Sequence, residues 1–69
     1  MNKNIYEIGM EMEIYENRLF DIKNKMNDEL NKFDIDWNKI YNLSKLAVDY
    51  TDMIKENLLL KLEKIKEIA

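Results

Sequence analysis

Residues 29–36 read ELNKFDID, and the fold turns on whether a helix runs through them. On both sides, apolar residues recur at alternating spacings of three and four. Ile5, Ile8, Met12, Tyr15, Leu19, Ile22 and Met26 precede the stretch, and Ile40, Leu43, Ala47, Tyr50 and Ile54 follow it. That period belongs to an amphipathic α-helix. Formally the heptad register never breaks between Ile5 and Ile54, so one continuous helix on the order of 100 Å long is the alternative fold. Two features favour a break. Glu29 and Asp36 occupy consecutive core positions where a coiled coil takes Leu or Ile. Between them, KFDID gathers poor helix formers, and Asp36 is a good N-cap, with Ile35 placed to staple onto Ile40.

The sequence therefore predicts an all-α fold, a coiled-coil-like, two-helix antiparallel hairpin in a single domain over residues 1–69. Helix one is expected over about 4–33, a turn over about 33–36 and helix two over about 36–68, each rod roughly 45–50 Å long. Asn4-x-x-Glu7 is a capping-box pattern that starts the first helix. Asn17, Asn24 and Asn31, seven apart, mark its solvent side. With one glycine and no proline, the chain lacks the turn residues that strand hairpins need.

A hairpin of this kind has more apolar surface than it can hide. Leu46, Met53 and Leu60 flank the main face of helix two on one side, while Tyr41, Val48 and Leu59 form another stripe. Beyond Ile54 the pattern shifts to Leu58, Leu62 and Ile65, which reads as a four-residue stutter in the heptad. Fully burying one Leu or Ile is worth about 1.5–3 kcal/mol, so leaving six or more exposed forfeits most of the stability of a small fold. Chains below roughly 70–80 residues rarely stand alone without disulfides, metal or self-association. This chain of 69 residues has neither Cys nor His. The expected solution is a homodimer forming a four-helix bundle, with Leu46, Met53, Leu60, Tyr41, Val48 and Leu59 as its interface. A trimer, or docking onto a foreign helix, comes next. Tyr6, Met10 and Ile14, one turn apart on nearly the opposite side of helix one and bordered by Glu7, Glu11 and Glu13, are the candidate binding stripe for another protein.

Residue types limit the chemistry. Without Cys or His, with Ser44 the only serine and Thr51 the only threonine, nucleophilic catalysis has little to work with. Phosphate-cradling loops need clustered glycines. The carboxylate pairs Glu7/Glu11, Glu13/Glu16 and Asp49/Asp52 have the spacing of a solvated helix face. No catalytic residue, cofactor or metal ligand is assigned. The net charge of −3 argues against phosphate-backbone binding as the main activity. Lys55, Lys61, Lys64 and Lys66 scatter round the second helix, with Glu63 placed to pair with Lys66. The longest apolar run, Leu58 to Leu60, is far too short for a bilayer, and the N-terminus is unlike a signal peptide, so a cytoplasmic location is expected.

Tyr41-Asn-Leu-Ser-Lys-Leu, early in the second helix of a short acidic hairpin, resembles the small aspartyl-phosphate phosphatases of sporulation control, whose signature runs Ser-Gln-Glu-Leu-Asp. Ser44 matches the serine. Lys45 stands for the glutamine, Ala47 for the leucine and Val48 for the aspartate, and the nearest acid, Asp49, comes one residue late. The resemblance implies an enzyme acting on a phosphorylated response regulator. The residues themselves point elsewhere, to a non-enzymatic protein–protein interaction module, a small homo-oligomeric regulator or inhibitor. An RNA-binding hairpin dimer is a further alternative.

Overall fold

The computed structural model describes residues 3–68. Two helices, α1 (Ile5–Leu30) and α2 (Trp37–Ile68), pack against each other as an antiparallel hairpin. Among the described residues, no helix is long and apolar enough to cross a membrane.

Helix α1 begins where its cap chemistry dictates. Asn4 is extended, and its Oδ1 accepts the Glu7 backbone N–H at 2.8 Å, satisfying one of the orphan donors of the first turn. The reciprocal arm differs from the usual box, because the Glu7 carboxylate takes the Asn4 side-chain amide at 3.2 Å. Helix α2 is capped by Asp36, whose Oδ1 accepts the Lys39 N–H at 3.2 Å.

The break is real and comes earlier than 33. Helix α1 ends at Leu30, with Asn31 as its C-cap, and residues 31–36 form the connection. Its organiser is Glu29, only 2% exposed. One carboxylate oxygen accepts the Asp36 backbone N–H at 3.1 Å, and the other meets the ammonium groups of Lys32 at 3.0 Å and Lys39 at 3.4 Å. An acid where a coiled coil takes leucine thus closes the turn.

The interface between the helices follows the heptad seam. Ile8, Ile22 and Leu43 are buried, and Tyr15 meets Tyr50 with ring centroids 6.0 Å apart and planes tilted by 37°. The expected stutter past Ile54 is absent. The inward register instead continues through Asn57, which is 4% exposed, and through half-buried Lys61 and Lys64, while Leu58, Leu62 and Ile65 face solvent. The polar residues are accommodated there. Asn57 donates to the Glu11 carboxylate of α1 at 3.4 Å, and the Lys64 ammonium reaches Glu67 at 3.6 Å. A lysine at such a position can bury its stem while its charged end stays in water. At the open end, then, the inner face of α2 is polar and its outer face is greasy.

Candidate interaction surfaces

The hairpin seam divides the molecule into two broad sides and two narrow edges. Heptad geometry sorts the remaining positions: those just after each inner core residue look to one side, those just before it to the other. A shallow groove of about 150 Å³ lined by Arg18, Asp21, Lys25, Leu46 and Tyr50 lies on what we call the acidic side. A second, of about 310 Å³, lined by Leu19, Lys23, Met26, Asn27, Leu30 and Ala47, lies on the other, the apolar side.

Helix α2 carries a full second stripe of alternating three and four on the apolar side. It runs from Trp37 and Tyr41 through Ser44, Val48, Thr51 and Lys55 to Leu58, Leu62 and Ile65. The two hydroxyls in it are already satisfied. Ser44 Oγ donates to the Ile40 carbonyl at 2.8 Å, and Thr51 Oγ1 to the Ala47 carbonyl at 2.7 Å. Both can lose water without orphaning a donor. The stripe on the acidic side is interrupted throughout, with Leu46, Met53 and Leu60 alternating with Asn42, Asp49, Glu56 and Glu63.

All six residues expected at an oligomer interface are exposed, yet they do not form one surface. Leu46, Met53 and Leu60 share the acidic side. Tyr41 and Val48 lie on the apolar side, and Leu59 points to the outer edge of α2, next to a cleft of about 470 Å³ with Leu62, Ile65 and Lys66. Tyr6, Met10 and Ile14 are 76%, 52% and 51% exposed. They wind across the outer edge of α1, with Met10 on the edge and the other two on its shoulders.

Three charged groups near the seam depart from their ordinary protonation range. The Asp36 backbone N–H, followed by Lys32, holds the Glu29 carboxyl below the ordinary 4.5. Lys3, 2.7 Å from Glu11, lowers that carboxyl and is itself raised above 10.5 by the same hydrogen bond. The Glu29 ties close the connection, and the Lys3–Glu11 pair anchors the start of the chain on α1, where Glu11 also meets Asn57 of α2. Lys64 pairs with Glu67 at 3.6 Å rather than Glu63 with Lys66.

In the stretch resembling the phosphatase signature, Ser44 spends its hydroxyl on the Ile40 carbonyl, and Asp49 lies about 140° further round α2. Among the described residues, no three carboxylates converge on a position that could hold a metal ion. Sequence reasoning missed the seam lysines and the isolation of Gly9. A Cβ at Gly9 meets no atom within 4 Å outside its immediate helix surroundings, and its φ is not positive, so nothing inside the hairpin requires a glycine there. No protein-family model matches the chain, and comparison with curated proteins and with solved structures gives no match either.

Proposed function

We propose that the hairpin is a non-enzymatic protein–protein interaction module that works as a homodimeric four-helix bundle, a small regulator or inhibitor that binds another protein. One observation supports this reading above the rest. Among the described residues only Ile8, Ile22 and Leu43 are buried apolar side chains, against seventeen exposed large ones. Scattered exposed leucines are ordinary, but contiguous stripes along a whole helix mark surfaces made to be covered.

Self-association covers one broad side, and the outer edge of α1 is then left for the foreign protein. Met10 is the centre of that edge, with Ile14 and Tyr6 beside it and Glu7, Glu11 and Glu13 around them. An apolar centre with an acidic rim suits a partner patch that is apolar with basic borders.

The test combines solution mass with capture. Light scattering is expected to give twice 8.4 kDa for the purified chain. Capture from the native host is expected to retain a protein that Met10→Glu and Ile14→Glu release while the mass stays dimeric. Equal capture by both variants overturns the docking edge.

A further inference from the structure

We propose that the apolar side is covered by a second copy of this chain, related by a two-fold axis parallel to the helices, so that α2 of each copy packs on α1 of the other. The inference rests on the homodimer reading and adds the face, the orientation and the register.

A two-fold axis along the helices keeps every residue at its own height. Residues level with one another within one hairpin are therefore level across the dimer, and the register has no free choice. The hairpin itself supplies the heights: Glu11 stands level with Asn57 and Tyr15 with Tyr50. By the same spacing Gly9 stands level with Leu58, Glu13 with Lys55, and Phe20 with Val48. Leu62 stands level with Tyr6, and Trp37 with Leu30. All of these lie on the apolar side.

Five of the resulting pairs match in kind, while Tyr41 meets Asn27. Leu58 of one copy meets Gly9 of the other, which gives the chain's one glycine a purpose the isolated hairpin lacks. A glycine inside a helix is tolerated where another chain approaches closely. Lys55, the single charge in the α2 stripe, meets Glu13. Val48 meets Phe20, Leu62 meets Tyr6, and Trp37 meets Leu30, all six exposed in the single chain. Thr51 and Ser44, with their hydroxyl protons internally bonded, meet the level of Glu16 and Lys23.

The acidic side fares worse under the same construction. There the identical operation matches Met53 with Ile14 and Asp49 with Arg18, but it sets Leu46 against Asp21, Leu60 against Glu7, and Glu56 against Glu11, two desolvated mismatches and one like-charge pair. Size is sufficient as well. The broad side of a body 54 Å by 19 Å measures roughly 1,000 Å², against the about 800 Å² per partner of a standard stable interface. In the resulting bundle every neighbouring helix pair is antiparallel. In this arrangement Tyr6 and Glu13 pass from the docking edge to the contact between copies, and Met10 and Ile14 stay outside for the foreign protein.

Sedimentation equilibrium on designed variants tests the proposal. Leu58→Glu and Gly9→Leu are each expected to raise the dimer dissociation constant at least tenfold, and Met53→Glu to change it less than about twofold. Lys55→Glu and Glu13→Lys are each expected to weaken the dimer, and the two together to restore most of the loss. Within one hairpin these two side chains share the apolar side but lean toward opposite edges, and they are not among the ion pairs of the described residues, so rescue reports contact between copies. A helical signal in circular dichroism equal to wild type confirms that each variant folds. A dimer that Met53→Glu breaks and Leu58→Glu spares overturns the face while leaving the homodimer module standing. A wild-type monomer at tens of micromolar overturns both. A monomer whose captured protein is lost on Leu58→Glu gives the apolar side to a foreign chain and overturns the second-copy assignment.

Discussion

The Glu29 carboxylate accepts the backbone N–H of Asp36 at 3.1 Å, so the penultimate residue of α1 caps the entry to α2 across the connection. Both residues sit where a continuous coiled coil takes apolar side chains. The acid is what turns a formally unbroken heptad into a hairpin. Glu29→Leu restores the heptad and is expected to lower the melting temperature by several degrees. Glu29→Gln keeps an acceptor for the N–H, loses its charge toward Lys32 and Lys39, and falls between. Thermal circular dichroism of the three proteins gives the order, and a leucine variant at least as stable as wild type contradicts this account of the turn.

Acid is expected to loosen both ends of the hairpin. The folded chain holds the Glu29 and Glu11 carboxyls below 4.5, so the unfolded chain takes up protons first as the pH drops. Their contribution is fully present above about pH 4.5 and is lost as the pH falls through the depressed folded values. Lys3 runs in the opposite sense, because its folded pKa is raised: its contribution is complete below 10.5 and lost as pH rises through the raised value. A melting series from pH 7 down to pH 2 is expected to fall most steeply below 4.5, and Glu29→Gln to flatten that fall. The Lys3–Glu11 pair is partly exposed, so added salt weakens its share.

The hairpin was readable in the sequence because its two halves keep a helical period and its caps are chemically explicit. Asn4 and Asp36 announce helix starts through side chains that accept from their own first turns. The turn lay within reach for the same reason, although the role of Glu29 did not, since a side chain reaching seven residues ahead leaves no local pattern. The open end misled. Leu58, Leu62 and Ile65 are the most apolar stripe there, and a rule that sends the greasiest face inward assigns them to the seam. The structure puts Asn57, Lys61 and Lys64 inward because the seam must stay in register with Ile8 and Tyr15, and a shift of one position in α2 rotates every inner residue by about 100°. Hydropathy reports which surfaces leave water, not which of two partners covers them. For that reason the two stripes expected to share one interface fall on different sides of α2.

Asn57 is a buried polar residue at a core position, and it bonds only at 3.4 Å to the partly exposed Glu11. Replacing it by leucine gains about 1.5–3 kcal/mol of apolar burial and loses about 1 kcal/mol of hydrogen bonding. Asn57→Leu is expected to stabilise the helix pair by about 1 kcal/mol in urea titration. A polar residue at a core position typically trades stability for register. The same variant is therefore expected to form larger species in sedimentation velocity, as the seam now accepts other helices. Asn57→Asp sets a second carboxylate beside Glu11 and is expected to lower stability. A leucine variant that is both more stable and strictly of wild-type mass removes the register role from Asn57.

Ile8 has no exposed surface, while Ile14, in the same helix, is 51% exposed. Truncating a buried isoleucine to alanine costs about 2–5 kcal/mol, a large share of the 5–15 kcal/mol that holds a typical domain together. With only three buried apolar side chains among the described residues, Ile8→Ala has little to fall back on and is expected to unfold at much lower urea. Ile14→Ala is expected to change stability by less than about 0.5 kcal/mol, as exposed positions do. Urea titration followed by far-ultraviolet circular dichroism measures both. The contrast bears on function as well as on the fold: if Ile14→Ala is neutral in urea yet weakens capture of the foreign protein, Ile14 acts in docking. If it costs as much as Ile8→Ala, the outer edge of α1 is covered in the free protein, and the docking surface lies elsewhere.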